Sequence, residues 1–278
     1  MKFDWEDADV VVRIEKDGHI WTVIHDRPEA RNGMDPVSAQ ELHDAFLEFE
    51  SDPEARVAVL WGAGGAFCAG WDLKHAASLA DPEKWAADMK ELAFPEDGGA
   101  PRRGALGPTR LELTKPVIAA VEGPAVAGGM ELAMWCDIRV MADTAYLGVF
   151  CRRWGITLMD GGTVRLPRLV GQGKALEIAM TGRKVPAEEC YQIGLAEKVV
   201  PEGEARAAAE AMAREIARFP QMAVRADRAA IIATRGMPVR QALEYEWEHG
   251  QDAIEQEGTA GAGRFSSGAG RHGDFQNI

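Results

Sequence analysis

The sequence predicts an α/β fold whose strands are covered on both faces. Two continuous apolar runs, at 57–61 and 117–121, and a third, at 138–142, that only Arg139 interrupts, are bounded by glycine, proline or charged residues. Runs of this length and composition are typical of buried strands. Segments with helical periodicity stand between and after them. With 278 residues, 46% hydrophobic and 27% charged, the chain has the composition of an ordinary globular protein and the length for one large domain or a domain with an appendage.

The N-terminal part predicts a hairpin and then a helix. Two apolar segments, 10–14 and 20–24, flank an Asp-Gly pair, which is a strong signal for a tight turn between antiparallel strands. After a charged loop, Asp35 precedes Pro36. An aspartate at the cap and a proline at the first helical position predict a helix start there, and apolar spacing continues it to about residue 49.

The strand at 57–61 leads into a glycine-rich segment, 62–74, with the sequence GAGGAFCAGWDLK. The segment begins as GxGxx, but Phe67 stands where a dinucleotide fingerprint has its third glycine, so nucleotide binding is a poor match. We expect instead a turn that exposes backbone N–H groups around Trp71, just before a helix that starts near Asp72.

A second glycine turn follows the strand at 117–121. Gly128 and Gly129 open the next predicted helix, so their N–H groups lack intrahelical partners and a ligand oxygen can approach them closely. Glu131 lies one turn further, and its carboxylate is directed back toward the helix start. Alone, this pattern equally fits a glycine-mediated packing contact with Glu131 as a solvated acid. Two such turns together favour a two-donor oxyanion hole with a carboxylate that moves protons.

The segments on either side of these turns predict a pocket wall and a loop. Trp85, Met89 and Leu92 share one face of a helix that starts near Pro82, and they fit either the core or an apolar acyl pocket. Segment 94–108 is rich in glycine, proline and arginine without periodicity, which predicts a loop or lid.

The last third of the chain predicts more helices. Helices are expected at 173–181 and 186–193, and a strand at 195–200 closes the sheet. After this strand the sequence becomes rich in alanine and charged residues. We therefore place a domain boundary near 201, between a core of residues 1–200 and a helical region of 201–278. The helical region contains three Ala-rich, charged segments with helical periodicity: 203–218, 221–235 and 238–256.

Composition excludes several classes of function. The net charge is 31 minus 44, or −13, which disfavours nucleic-acid binding. Four separated cysteines without a CxxC pair indicate a reducing compartment, and the chain starts without a signal peptide and has no apolar run of the ~18 residues that a membrane span needs. We therefore expect a cytoplasmic protein. The six histidines show no metal-binding spacing, and the absence of GxSxG excludes a serine hydrolase.

Five motifs together resemble the enoyl-CoA hydratase/isomerase (crotonase) family. They are HDRPEARNGMD (25–35), GAGGAFCAGWDLK (62–74), KPVIAAVEGPAVAGGMELAMWCDIRVMAD (115–143), GGTVRLPRLVG (161–171) and MTGRKVPAEECYQIGLAEKVV (180–200). The resemblance implies a crotonase-like spiral of ββα units with a C-terminal helical trimerisation region, assembled as a homotrimer or a dimer of trimers. It also implies an acyl-CoA thioester as substrate and no cofactor, because coenzyme A is part of the substrate.

The resemblance implies a role for individual residues. The thioester oxygen would accept hydrogen bonds from the N–H groups of Trp71 and Gly128, and Glu131 falls on the family's first catalytic glutamate. Positions expected along the coenzyme A moiety are Ala30, Ala66 and Ala69, with Arg27, Arg31 and Lys74 as candidate partners for its phosphates. For Arg31 and Lys74, a merely solvated surface position fits the sequence equally well.

The second catalytic glutamate of the family is absent, and Cys151 stands in its place. Asp160, which precedes Gly161-Gly162, is the nearest acid, and we predict that it is the second proton-transfer group and that Cys151 is pocket wall. The predicted substrate pocket comprises Trp71, Trp85, Met89, Phe150, Cys151 and Trp154. The expected function is enoyl-CoA hydration. The alternatives are an enoyl-CoA or dienoyl-CoA isomerase that uses Glu131 with or without Asp160, and a catalytically impaired acyl-CoA-binding scaffold.

Overall fold

The computed structural model of the chain describes residues 10–100 and 102–273. The acidic residues 1–9, in which no signal peptide is expected, lie outside the described part, as do Pro101 and residues 274–278.

The predicted buried strands form one mixed sheet. Its strand order is β1-β2-β3-β4-β6-β9, in which β1 pairs antiparallel with β2 and every later neighbour is parallel. The strands are β1 (Val12–Asp17), β2 (Ile20–His25), β3 (Val57–Gly62), β4 (Val117–Val121), β6 (Ile138–Ala142) and β9 (Lys198–Val200). Because β3 and β4 run in parallel, the two glycine turns that follow them emerge at the same edge of the sheet.

A smaller sheet, which the sequence did not reveal, contains β5 (Pro124–Val126), β7 (Tyr146–Gly148) and β8 (Lys184–Pro186). The strand β5 pairs parallel with β7, and β7 pairs antiparallel with β8. Each of these strands has three residues, which is too short for an alternating pattern to be recognised.

The helices follow the predicted order, and the predicted starts near Asp35, Asp72 and Asp81 are confirmed by side-chain caps at those three residues. A π-helical turn, Ile254–Gly258, joins the last two helices. The helices are α1 (Pro36–Ser51), α2 (Leu73–Ser78), α3 (Pro82–Leu92), α4 (Gly128–Trp135), α5 (Gly162–Val170), α6 (Gln172–Thr181), α7 (Ala187–Gln192), α8 (Ala205–Arg218), α9 (Gln221–Ala233), α10 (Val239–Ala253) and α11 (Thr259–Ser266).

The helix α8 belongs to the main core. Four alanines at every fourth position, Ala205, Ala209, Ala213 and Ala217, are buried, and the helix packs across β2, β3, β4 and β6. This packing differs from the expected boundary near 201, which placed α8 in the helical region. The small alanine side chains let a helix with a charged outer face lie close to the sheet.

The helices after α8 have few contacts with the sheet. The helices α9 and α10 pack mainly on each other, and Arg228 ties α9 to the core through Asp137 (2.9 Å) and the carbonyl oxygen of Leu113 (2.6 Å). The division of the chain into a core and a helical region remains a prediction, and by packing it lies after α8. In the part of the chain that the structure describes, no helix combines the length and apolar character that crossing a membrane requires.

Candidate active site

The two glycine turns contact each other, and the backbone N–H groups of Trp71 and Gly128 lie at this contact. The N–H of Met34 donates to the carbonyl oxygen of Gly70 (2.7 Å), and the N–H of Asp72 donates to the carbonyl oxygen of Met34 (2.8 Å). Because bonding directions alternate along an extended segment, the N–H of Trp71 points away from Met34. A Cβ on Gly70 would lie 2.9 Å from the nitrogen of Gly128, so the two turns are in contact. No acceptor for the N–H of Trp71 or Gly128 occurs among the described residues.

The residue before α4 has a strained backbone that presents the second donor. Ala127 has φ 54° and ψ −124°, a conformation that L-residues rarely adopt and that costs about 1–3 kcal/mol. Its own N–H donates to the carbonyl oxygen of Gly148 (2.8 Å), which holds the strained residue in place. A Cβ on Gly128 would lie 2.5 Å from Leu106, so the absence of a side chain lets Leu106 approach the donor.

Glu131 is buried in the same cavity, on the first turn of α4. Its Oε1 accepts hydrogen bonds from the N–H groups of Asp160 (2.9 Å) and Gly162 (2.8 Å). Desolvation and, after it, the charge of Asp160 raise the pKa of Glu131 from 4.5 to about 7, against the opposing effect of these hydrogen bonds. A carboxyl group with this pKa can both accept and donate a proton near neutral pH.

Asp160 is buried beside Glu131, and a network that the sequence did not reveal holds it. Its Oδ1 accepts hydrogen bonds from the hydroxyl of Thr109 (2.5 Å) and from the N–H of Leu106 (3.2 Å). The guanidinium of Arg165 donates to the carbonyl oxygens of Asp160 (2.9 Å) and Thr109 (2.8 Å). The end of the predicted loop 94–108 is therefore packed into the site, with Leu106 buried.

A cavity of about 130 Å³ brings the predicted residues together. It contains Glu131, Asp160 and Gly128, and all six predicted pocket residues: Trp71, Trp85, Met89, Phe150, Cys151 and Trp154. Other lining residues are Ala69, Leu73, Leu92, Ala105, Leu106, Ala127, Ile156, Thr157 and Met159. Trp85 and Trp154 are 49% and 67% exposed, so they form the rim. The face of α3 that carries Trp85, Met89 and Leu92 therefore lines this cavity. Its role as an acyl pocket stays a prediction.

The thiol of Cys151 lines this cavity and is not a general base at neutral pH. Burial raises the pKa of Cys151 above its usual value of 9.0, and the nearby charge of Glu131 raises it further. The thiol therefore stays protonated and cannot take over the work of a carboxylate.

Arg27 is engaged with carboxylates of its own chain. Its Nη1 donates to Asp72 (2.9 Å) and to the carbonyl oxygen of Gly33 (2.8 Å), and its Nη2 lies 3.3 Å from Asp35. The contact with a coenzyme A phosphate that the resemblance implies for Arg27 stays a prediction, and these carboxylates would compete with the phosphate for the guanidinium. The guanidinium links the 25–35 loop to the cap of α2.

The other positions implied for coenzyme A lie on adjoining segments. The N–H of Ala69 donates to the carbonyl oxygen of Arg31 (3.1 Å), which joins the 25–35 loop to the first glycine turn. Arg31 and Lys74 are exposed, and their side chains have no ion pair with any residue in 10–100 or 102–273. Ala30 is half-buried and Ala66 is buried.

Asn32 joins the segments that carry these positions, and sequence analysis missed it. Its side-chain amide donates to the carbonyl oxygens of Ala63 (2.8 Å) and Ala66 (2.7 Å), and its Oδ1 accepts from the N–H of Arg27 (2.8 Å). Asn32 has φ 54°, a left-handed conformation in which asparagine is enriched. The Asn-Gly pair at this position is the signal that could have indicated it.

Metal-binding clusters are not found in the described part of the chain: no three His, Cys, Asp or Glu side chains there are placed to hold an ion. The groups that line the candidate site are two carboxyl groups, two backbone donors and an apolar, aromatic wall.

Comparison with known proteins gives a consistent result. Residues 15–266 match the family model described as enoyl-CoA hydratase/isomerase. The chain is 36% identical to enoyl-CoA hydratase EchA19 of Mycobacterium tuberculosis over 244 residues, covering 85% of this chain and 86% of that protein. It is 35% identical to the carnitinyl-CoA dehydratase of Escherichia coli K12 over 256 residues, covering 88% and 92%.

Solved structures agree with the sequence comparison. The crystal structure of an enoyl-CoA hydratase from Mycobacterium tuberculosis H37Rv matches with a TM-score of 0.81 and 32% identity, over 92% of this chain and 96% of that one. An enoyl-CoA hydratase from Bacillus anthracis matches with a TM-score of 0.80 and 30% identity, over 93% and 96%. The chain therefore belongs to the enoyl-CoA hydratase/isomerase family, and it is an acyl-CoA-processing enzyme with the crotonase fold.

Proposed function

We propose that this enzyme is an enoyl-CoA hydratase, which adds water across the 2,3-double bond of an enoyl-CoA thioester. The observation that carries the proposal is the position of Glu131, whose raised pKa lies near neutrality in the same cavity as two unpartnered backbone donors. A hydration needs both: donors to hold the enolate oxygen, and a group that transfers protons at working pH.

The proposed reaction starts with the thioester oxygen bound to the N–H groups of Trp71 and Gly128. Ionised Glu131 takes a proton from water as the water oxygen forms a bond to Cβ. The electrons of the double bond move toward the thioester, and the resulting enolate oxygen is stabilised by the two donors. The proton that Glu131 accepted is then delivered to Cα, in our proposal through Asp160, so that Glu131 is ionised again. No cofactor is consumed.

Substrate binding and assembly complete the proposal. Arg31 and Lys74 carry free positive charges on the two segments that adjoin the cavity, and we assign the coenzyme A phosphates to them. Ala30, Ala66 and Ala69 provide the adjoining backbone. The C-terminal helices form the contacts of a homotrimer or a dimer of trimers.

The test separates hydration from isomerisation. Purified enzyme is incubated with crotonyl-CoA and a longer 2-enoyl-CoA, and loss of the conjugated thioester absorbance is followed, with the 3-hydroxyacyl product identified by mass. A 3-enoyl-CoA tests isomerisation through a gain of the same absorbance. We expect hydration, and we expect Glu131→Gln to lower it by ~10²-fold or more while coenzyme A binding is kept.

Two other results of this test would indicate a different function. Turnover of the 3-enoyl-CoA alone would indicate an isomerase. Tight acyl-CoA binding without turnover of any substrate would indicate a scaffold that has lost its chemistry. Glu202→Gln, which removes an exposed carboxylate after β9, is the matched control and should keep full activity.

A second candidate substrate is an acyl-CoA with a quaternary ammonium group. Trp71, Trp85, Phe150 and Trp154 line the cavity and its rim, and aromatic faces attract quaternary ammonium groups. The relative from Escherichia coli named carnitinyl-CoA dehydratase acts, by its name, on such an acyl group. Carnitinyl-CoA is tested beside 3-hydroxybutyryl-CoA in the dehydration direction. A preference that is lost in Trp154→Leu would favour this candidate, and equal turnover in wild type would exclude it.

A further inference from the structure

A second cavity, of about 440 Å³, lies away from the candidate active site. Arg56 and Pro53 line it, and Arg56 directly precedes the first residue of β3. The catalytic cavity, in contrast, is built by turns that follow the last residues of β3 and β4. The two cavities are therefore at opposite ends of the parallel strands.

The lining of this cavity is strongly basic. Four arginines, Arg56, Arg218, Arg225 and Arg264, share it with a single carboxylate, Glu257. The whole chain carries a net charge of −13, so a local excess of positive charge runs against its composition. Such an excess focuses an attractive field on anions.

Two charged side chains of this cavity, Arg56 and Glu257, bind the backbone at helix ends. Arg56 donates through Nη1 to the carbonyl oxygen of Ala217 (2.7 Å) in the last turn of α8, where a cation is favoured. Glu257 accepts a hydrogen bond from the N–H of Ala223 (3.1 Å) in the first turn of α9. These two side chains are explained by the helix ends that they contact.

The other three arginines have no such explanation. The guanidinium groups of Arg218, Arg225 and Arg264 make no hydrogen bond or ion pair with another residue of the described chain. The Nε of Arg225 is buried and has no hydrogen-bond partner there. A buried N–H donor is normally paired, so this atom and its two neighbours indicate a missing acceptor.

We propose that this cavity binds a phosphate-bearing small molecule with at least two negative charges. Guanidinium groups bind phosphate oxygens in a bidentate manner, and three unpaired guanidiniums can neutralise a diphosphate. The volume lies within the range of small-molecule sites. This ligand is distinct from the acyl-CoA of the catalytic cavity, because the two cavities are separated by the length of the strands.

Calorimetric titration of the full chain with sodium pyrophosphate tests the proposal. We expect one binding site per chain, with binding that weakens as salt is added. The Arg218→Gln/Arg225→Gln variant should bind pyrophosphate at least roughly tenfold more weakly. Arg240→Gln is the matched control, because it removes an exposed arginine outside this cavity that pairs with Glu244 on the same helix (3.0 Å), and the affinity of this variant should be unchanged. Pyrophosphate should also bind equally well when coenzyme A is present.

Several outcomes would overturn the proposal. Wild type that does not bind pyrophosphate, or a double variant that binds it with the wild-type affinity, would do so. Competition with coenzyme A would move the binding to the catalytic cavity. A double variant with a changed mass in light scattering, together with no binding by wild type, would make these arginines contacts between copies of the chain. If the double variant does not fold, Arg218→Gln alone, at an exposed position, decides the question.

Discussion

The surroundings of Glu131 favour the neutral, protonated form of its carboxyl group. Its burial and the neighbouring Asp160 raise its pKa to about 7, while two backbone N–H groups on Oε1 work in the other direction. Burial and the charge of Asp160 are the larger effects and outweigh these hydrogen bonds. Both of these hydrogen bonds are accepted by Oε1, and in our proposal the proton transfers use Oε2.

The raised pKa has a consequence for stability that can be measured. The folded state binds the Glu131 proton more tightly than the unfolded chain, where the pKa is near 4.5, so stability falls as pH rises from 4.5 to 7. Glu131→Gln cannot ionise and should be more stable than wild type at pH 8, by on the order of 2–3 kcal/mol. Near pH 4.5 the difference should shrink. Urea unfolding at both pH values checks this, with Glu202→Gln as control, and an equal difference at both pH values would contradict it.

The role of the second acid can be decided by paired substitutions. Asp160→Asn should lower turnover by ~10²-fold or more, as Glu131→Gln does, whereas Cys151→Ala should keep most activity. Because the charge of Asp160 raises the pKa of Glu131, Asp160→Asn should also move the acidic limb of the pH–rate profile to lower pH. Steady-state kinetics across pH measure both effects. A large loss in Cys151→Ala with full activity in Asp160→Asn would reverse the assignment.

Sequence patterns predicted the residues whose roles depend on local geometry. Gly128 and Glu131 could be found because both lie on one helical turn. Thr109 and Arg165 could not, because their hydrogen bonds join segments that are 51 and 56 residues apart. The ion pair of Arg27 with Asp72 was missed for the same reason, because Asp72 is 45 residues away.

At the scale of elements, α4 is held against the first glycine turn by an unusually close contact. A Cβ on Gly129 would lie 2.0 Å from the carbonyl oxygen of Cys68, which is backbone and cannot rotate away. Gly129→Ala should therefore destabilise the protein by about 2–3 kcal/mol and displace the donor of Gly128. Gly173→Ala is the control, since Gly173 lies in the first turn of α6 with nothing within 4 Å of the added Cβ. Thermal unfolding measures both, and an unchanged midpoint in Gly129→Ala would refute the contact.

The long strands and the capped helices were predicted correctly from the sequence, whereas the packing of α8 was not. The long strands and capped helices were found from apolar runs and from aspartate-proline starts. The packing of α8 was missed because alanine at every fourth position is a weak hydrophobic signal beside the charged residues of that helix. Only the neighbouring sheet, which is formed by distant segments, makes those alanines a buried face.

For the whole molecule, the C-terminal helices that the structure describes expose several large apolar side chains. Val239, Leu243 and Trp247 are exposed at every fourth position of α10, and Ile254 continues the same stripe. Ile231 on α9 and Phe265 on α11 are exposed as well. Contiguous exposed apolar side chains mark interaction surfaces, and this stripe supports the proposed trimer or dimer of trimers.

The stripe gives a prediction for the assembly. Leu243→Glu/Trp247→Glu places two charges on its centre, where burial against another subunit would desolvate them, so the assembly should dissociate. Leu47→Glu is the control, because Leu47 is an isolated exposed apolar residue on α1 and a charge there should leave the mass unchanged. Multi-angle light scattering should give three or six times 30.2 kDa for wild type and for the control, and a smaller mass for the double variant. A wild-type mass of one chain, or a double variant that keeps the wild-type mass, would show that α10 does not hold the assembly together.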